Sequence, residues 1–405
     1  MLGDSSAVPP APDDTFSSLA AWELLASDEG APLVAAALEA GEPTPAVIGQ
    51  LRRDWPVAAV TAAVELARAR ARAHVKFPGR DRLWCDVSGL EQASSMRTAN
   101  WKQLRFERAG ATSIADLCCG IGGDAMALAR GGDLLAVDLD PVRAWMAGAN
   151  AGCPHLVADV LGMDDLPDHV HIDPARRDGT TGRRAWTPDA YEPRLDDVLG
   201  LLEGVRGGAC KLGPGIPLPL PGRPDGSELE FIQEGGRLVQ SVLWTGSLAE
   251  HPGERTATML PEDLTVSGLP GELPLAEVLP EEGAWLIEPE PALERSGLCH
   301  QVLGALDVVP EEIAPGLGLL QAGEPARSPW FTDWRIATVL PLREKAIRSW
   351  LRDHDAGEVI VRTRGGAVEV DRWAKRLRGT GSCTWVVFGL RLGKTTRAII
   401  VHSAD

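Results

Sequence analysis

Nowhere does this chain of 405 residues approach the roughly 18 consecutive apolar residues that a membrane-spanning helix requires. Its opening segment, MLGDSSAVPPAPDD, is acidic and proline-rich and lacks the basic and apolar regions of a secretion signal, so a cytoplasmic location is expected. The seven cysteines are odd in number and contain no CxxC pair, which argues against a disulfide framework or a zinc ribbon and for reduced thiols. The eight histidines form no HxxxH or HExxH pair, and no metal centre is expected. Basic residues are also in the minority, 40 against 57 acidic, for a net charge of -17. That balance speaks against a nucleic-acid partner until it is divided along the chain. Residues 331–405 hold 14 Lys+Arg against 8 Asp+Glu, whereas the first 330 hold 26 against 49. A basic tail module follows an acidic body.

With 44% apolar and 24% charged residues the chain is globular, and its length allows two to three domains at about 150 residues each. Residues 1–14 read as a disordered leader with too little apolar surface to offset chain entropy. From Phe16 to about Phe106 the reading is helical. In Val57–Val75, for instance, Val60, Ala63, Val64, Leu66 and Ala67 recur near helical spacing. Ser88-Gly89-Leu90-Glu91 matches a capping box and predicts a helix running toward Phe106.

At Ala111 the pattern turns to short apolar strands alternating with glycine turns and helices, the mark of a parallel α/β sheet. Strands are expected at 113–117, 134–138, 156–158 and 170–173, with a helix over 123–130 and another over 141–151 opened by Asp140 and Pro141. Residues 228–233 and 238–245 read as a closing antiparallel pair. Residues 285–330 resist assignment and are placed beside the sheet. From Trp334 onward the order strand, helix, strand, helix, strand, strand predicts a small α+β module with a core of Ile336, Ile347, Trp350, Leu351, Ile360, Trp373 and Leu377.

The chemistry concentrates in Asp116-Leu117-Cys118-Cys119-Gly120-Ile121-Gly122-Gly123-Asp124, a glycine turn between a strand and a helix. Gly120-x-Gly122-x-x-Ala125 nearly satisfies a dinucleotide fingerprint, with Asp138 standing 18 residues after Gly120 as a ribose acid. Two features favour S-adenosylmethionine over a nicotinamide dinucleotide. Asp116 precedes the first glycine, where it can meet an ammonium but would repel a pyrophosphate. Further acids end the later strands, Asp138, Asp159 and Asp173, suited in turn to ribose hydroxyls, an adenine amine and a reacting group. Asp124 reads as a helix cap or a cofactor contact, and Cys118 and Cys119 as small residues for a tight loop.

The Asp-x-x-Cys-Gly-x-Gly-Gly loop, Val137-Asp138-Leu139-Asp140-Pro141 and Asp173-Pro174 resemble class I S-adenosylmethionine-dependent methyltransferases, the loop being especially similar to RNA cap guanine methyltransferase relatives. The segment GLEQASSMRTANWKQLRF, then His171-Ile172-Asp173-Pro174-Ala175-Arg176-Arg177, and the terminal module together resemble bacterial methyltransferases that end in a THUMP-like domain. The resemblance covers most of residues 76–405. It implies an α/β fold: a Rossmann-like sheet (111–325) between a helical N-terminal domain (15–110) and a THUMP-like α+β module (331–405). It further implies S-adenosylmethionine as cofactor, with Asp116, Cys118, Gly120, Gly122, Gly123, Asp138 and Asp159 as its contacts, and Asp173 and Pro174 at the acceptor site. Lys76, Phe77 and Arg97 also resemble positions beside the cofactor.

The acceptor motif departs from the Asn/Asp-Pro-Pro-aromatic sequence of enzymes that methylate exocyclic base amines, since Ala175-Arg176-Arg177 follows Asp173-Pro174. Trp186 or Tyr191 is then the available stacking surface, and Arg176 and Arg177 can fork onto a phosphate. Asp-Pro-x-Arg also resembles the uracil C5 methyltransferases, whose nucleophilic cysteine would here have to be Cys210, a residue that reads as a core thiol. In the terminal module Arg372, Lys375, Arg376 and Arg378 crowd one helix, with Arg362, Arg364, Arg391, Lys394 and Arg397 nearby in sequence, a pattern suited to RNA phosphates. The expectation is methyl transfer to an RNA base in tRNA or rRNA. The alternatives are a small-molecule or protein acceptor, with the module as a lid, and a non-catalytic RNA scaffold.

Overall fold

A computed structural model describes residues 18–176 and 190–402. The leader, Phe16, Arg177 and Trp186 lie outside the described residues. The chain divides into two compact units, one running through Glu228 and including Gln240–Pro252, the other formed by Leu229–Val239 and the chain from Gly253 onward. No helix among the described residues is long and apolar enough to cross a membrane.

The first unit begins with helices α1 (Ser18–Ala26), α2 (Ala31–Ala40), α3 (Pro45–Asp54), α4 (Val57–Ala73), α5 (Val87–Gln92) and α6 (Met96–Arg108). Alanine-rich α4 buries Val60, Ala63, Val64 and Ala67, residues three to four apart on one face, in a cluster that also holds Trp22, Leu33, Ile121, Met126 and Met146. The helical segment thus shares its core with the residues that follow the glycine loop.

The single helix expected from Ser88 to Phe106 is two helices. Asp86, not Ser88, caps α5 by accepting from the Gly89 amide at 2.7 Å, and Ser95 opens α6 by accepting from the Thr98 amide at 3.1 Å. The end of α5 leaves carbonyls without helical partners, and Lys76 Nζ donates to those of Leu90, Glu91 and Ala93 at 2.9, 2.7 and 2.8 Å. Ser95 favours the break because its hydroxyl bonds the backbone at the start of the second helix instead of continuing the first.

The sheet of this unit contains β1 (Ser113–Leu117), β2 (Asp133–Asp138), β3 (His155–Val157) and β4 (His169–Ile172), with α7 (Ala125–Leu128) and α8 (Pro141–Ala151) as crossovers. The first crossover helix is shorter than expected because residues 120–124 remain in the turn. A short pair, β5 (Ala175–Arg176) and β6 (Tyr191–Glu192), then α9 (Leu195–Glu203) and β7 (Gly207–Leu212) follow. β3, β2, β1, β4 and β7 are parallel in that order. After β8 (Glu228–Glu234), β9 (Arg237–Gly246) lies antiparallel to β7 from Gly207↔Gly246 to Leu212↔Ser241. Chain order reverses between β1 and β4, and at such a point a crevice opens beyond the carboxyl ends of the strands.

In the second unit β8 runs parallel to β10 (Arg255–Leu260), which pairs antiparallel with β11 (Leu264–Gly268). Residues 285–330, which the sequence left unassigned, supply β12 (Trp285–Pro289), α10 (Pro291–Ser296), α11 (Cys299–Ala305), β13 (Glu311–Glu312) and β14 (Leu320–Ala322). β12 pairs antiparallel with β15 (Phe331–Pro341), from Trp285↔Arg335 to Pro289↔Phe331, so the terminal sheet extends across the expected boundary at 325–331. The remaining elements are α12 (Glu344–Asp353), β16 (Ala356–Arg364), α13 (Val370–Leu377), β17 (Cys383–Leu392) and β18 (Thr395–His402). Ile347, Leu351, Val359, Val361, Leu377 and Val387 form one core cluster, with Trp350 and Trp373 packed against it, while Ile336, Phe388, Leu390 and Ile399 form another. Ile360, expected in the core, is 41% exposed because it alternates with Val359 and Val361 on the edge strand β16.

Candidate active site

The loop after β1 is shaped by two glycines with different demands. Gly120 adopts φ +56°, and a Cβ there would meet nothing within 4 Å, so its face is open. Gly122, at φ +81°, lets α8 approach until a Cβ would sit 2.8 Å from the Ala147 Cα. Gly123 packs on the α5–α6 turn, where a Cβ would come 3.1 Å from the Ser94 carbonyl oxygen. Cys118 is itself left-handed at φ 53°. Asp138 ties this loop to the end of β2: one carboxylate oxygen accepts from the Gly120 amide and the other from the Asp140 amide, each at 2.9 Å. Asp140 caps α8 at the Val142 and Arg143 amides, with Pro141 in the first helical turn as expected from the sequence. Asp159 is exposed just beyond β3 and accepts from the Leu161 amide at 3.1 Å. The Asp173 amide donates to the Leu117 carbonyl at 3.1 Å, which sets the end of β4 beside the start of the loop. The four acids picked out from the sequence therefore stand at the carboxyl ends of four neighbouring strands.

Behind the loop lies a buried charged cluster that the sequence reading missed. His171 Nδ1 is 2.7 Å from Asp116 Oδ1, its Nε2 is 3.2 Å from Lys102 Nζ, and Lys102 Nζ is 2.6 Å from Asp124 Oδ1. Ser94 donates to Asp124 Oδ2 at 2.8 Å and accepts from Lys102 at 3.3 Å. Burial pushes the Asp116 carboxyl up, against the opposing pull of His171. Burial pushes Lys102 down, against Asp124. Burial would also raise Asp124, but the charges of Lys102, 2.6 Å away, and of Lys211 outweigh it and hold that carboxyl well below the usual range. Asp124 makes no capping hydrogen bond with its side chain, so the cap expected of it is replaced by an ion pair. A detectable signal was there: Lys102 lies three residues after Ala99 and four before Phe106, both buried, on the apolar stripe of α6.

On the acceptor side Lys211 Nζ is 2.6 Å from Asp173 Oδ2 and donates to the Gln92 carbonyl at 3.2 Å. Burial would lower Lys211, but Asp173 and Asp124 more than compensate, so it remains a cation. Pro174 is buried and Arg176 exposed. Tyr191, expected as a stacking surface, is 2% exposed, and its hydroxyl accepts from the Gly213 amide at 3.1 Å, which locks it into the core. Cys210 is fully buried, and burial pushes its thiol up, as it does those of Cys118 and Cys119. Protonated thiols of this kind are poor nucleophiles. Phe77 is buried in the core, and Lys76 serves the end of α5.

In the second unit Arg372, Lys375, Arg376 and Arg378 are all exposed on or just after α13. Arg376 pairs with Glu344 at 2.8 Å. Two residues counted with this basic group from the sequence are engaged elsewhere: Arg362 meets Glu288 at 2.6 Å, and Arg364 pairs with the same carboxylate. Arg391 donates to the carbonyls of Gly365 and Gly366.

Comparison with known proteins adds three findings. Residues 332–403 match the THUMP domain-like family model. Two uncharacterised S-adenosylmethionine-dependent methyltransferases of Mycobacterium tuberculosis, from strains CDC 1551 and H37Rv, are each 30% identical over 315 residues, spanning 75% of this chain and 83% of the relative. The crystal structure of a candidate methyltransferase of Porphyromonas gingivalis W83 superposes with a TM-score of 0.70 at 18% identity, covering 95% of this chain and 98% of that one, and so shares its fold.

Proposed function

Because this chain belongs to the S-adenosylmethionine-dependent methyltransferases, we propose that it carries the methyl group of that cofactor to a base in RNA. The residues at the strand ends fit the cofactor. In this reading the open face of Gly120 admits its close approach, Asp116 Oδ2 offers a buried acceptor to its ammonium, and Asp138 and Asp159 offer acceptors to the ribose hydroxyls and the adenine amine. When bound, the cofactor supplies a methyl already activated by a positive sulfur. The chain's own residues then have to position the acceptor, since little proton transfer is required. Asp173 accepts from the acceptor group and Pro174 shapes the backbone beside it. Lys211 fixes one oxygen of Asp173 and, staying protonated, does not serve as a base.

The observation that carries the RNA reading is the cluster of exposed cations on α13 within the THUMP-like module, in a chain whose remainder is strongly acidic. Such a cluster supplies affinity for phosphates without reading sequence, and Arg176 adds a fork near the acceptor. The test is to incubate the purified protein with radiolabelled S-adenosylmethionine and a lysate of cells lacking it. Label recovered in RNA and released as a methylated nucleoside supports the reading. Label confined to protein or to small molecules overturns it.

A further inference from the structure

We infer that His171 and Lys102 are positioning residues for the cofactor, relaying the Asp124 charge so that Asp116 is left with one oriented, buried carboxylate oxygen for the cofactor's ammonium. The inference rests on the reading of Asp116 as an ammonium contact. Proton accounting carries it. A carboxylate only accepts and an ammonium only donates. His171 Nδ1, 2.7 Å from Asp116 Oδ1, must therefore carry the ring proton, and Nε2, 3.2 Å from Lys102 Nζ, must be the acceptor. The tautomer is set by its two neighbours. Lys102 pairs with Asp124 Oδ1 as an ion pair at 2.6 Å and is within hydrogen-bond distance of Ser94 at 3.3 Å and of His171.

The charges do not balance. Asp116 and Asp124 are two buried carboxylates, and Lys102 is the cation in direct contact with this group, whereas Lys211 lies 2.6 Å from Asp173. One negative charge is left over. It falls on Asp116, whose Oδ2 has no hydrogen-bond partner among the described residues although the residue is 1% exposed. A buried, unpaired carboxylate oxygen is costly unless a cation completes it. The amino-acid end of S-adenosylmethionine brings an ammonium, which is the missing charge. His171 does not touch that group. Its part is to occupy Oδ1 and so turn Oδ2 toward the ligand.

The test compares two ligands by calorimetry on the full-length protein: S-adenosylhomocysteine, and 5′-methylthioadenosine, which keeps the adenosine and sulfur but has no amino acid. The wild type should prefer the first. His171→Asn, too short to bridge Asp116 and Lys102, should reduce that preference about tenfold, the size of one charge-assisted hydrogen bond, with methylthioadenosine affinity unchanged. His171→Gln, which presents a donor and an acceptor at greater reach, should keep most of the preference. Equal losses for both ligands in His171→Asn, or an unchanged preference, would overturn the inference. Asp116→Asn separates the two levels of the argument. If it leaves the preference intact, the ammonium reading of Asp116 itself fails; if it abolishes the preference while His171→Asn does not, only the relay fails.

Discussion

Lys102 in the first unit and Arg376 in the second stand at nearly the same distance from a carboxylate, 2.6 Å from Asp124 and 2.8 Å from Glu344. Their side chains differ in exposure, 1% against 49%, and that difference sets what each pair is for. An exposed pair contributes about 0–1 kcal/mol and is screened by salt. A buried pair contributes little over an apolar substitute, but breaking it strands a charge at a cost of about 3–5 kcal/mol. Burial fixes Lys102 in one place, whereas exposure leaves the cations of α13 in contact with solvent and its ions. A net charge of -17 averages these two situations away.

The contrast breaks most visibly in stability. Lys102→Met should destabilise the first unit by about 3–5 kcal/mol in urea unfolding, while Arg376→Ala should cost less than about 1 kcal/mol. Acid should discriminate further. The Asp124 carboxyl is depressed in the folded state, so the stability from its pairing is present above about pH 4 and is lost as pH falls through its folded value. Similar costs for the two substitutions would show that burial is not the deciding factor.

A second comparison sets binding against chemistry within the first unit. Asp173→Asn removes a charge from the acceptor side and leaves the loop and Asp116 untouched. Methyl transfer should fall about a hundredfold or more, with S-adenosylhomocysteine affinity changed less than about threefold. A parallel loss of both would move Asp173 to the cofactor side.

The exposed cations are tested by salt. Neutralising Arg372, Lys375 and Arg378 to Gln should weaken binding to single-stranded RNA across sequences and reduce the slope of log affinity against log salt by about 2, at roughly 0.7 per phosphate contact. The melting temperature should stay the same, since none of the three is buried. An unchanged slope would take these residues out of any RNA contact.

What the sequence disclosed was mostly what is local. The glycine loop, the four strand-end acids and the Asp140–Pro141 cap each depend on neighbours within a few residues, and each stands where the pattern placed it. What it concealed depends on which distant faces meet. Asp124 and Lys102 are brought together by the packing of α6, His171 joins them from β4, and nothing in the spacing of these residues announces a contact. The same is true of residues 285–330, whose strand β12 makes sense only beside β15. Ile360 shows the converse: alternation marks it as a strand residue, but edge position decides its exposure. The helix break at Ser94-Ser95 was written in the sequence, as a second capping serine, but the stronger match at Ser88 masked it.

The smallest predicted effect tests whether the first unit tolerates an unfavourable charge for the sake of its ligand. Burial raises the Asp116 carboxyl above its unfolded value, so the folded protein holds that proton more tightly than the unfolded chain does. Between the unfolded value near pH 4 and the folded one, the native state binds more protons, and stability falls as pH rises across that window. This is the opposite sign from Asp124, whose contribution changes only below about pH 4. In Asp116→Asn the amide oxygen still accepts from His171 Nδ1, while the uncompensated charge is gone. The variant should therefore unfold at neutral pH with equal or slightly greater stability than the wild type, by up to about 1 kcal/mol, although it binds S-adenosylhomocysteine more weakly. The difference between the two proteins should vanish as pH is lowered toward 4, because the wild-type carboxyl is then neutral as well. A variant that loses stability at neutral pH would mean that Oδ2 already has a partner in the protein, and that Asp116 is a structural acid.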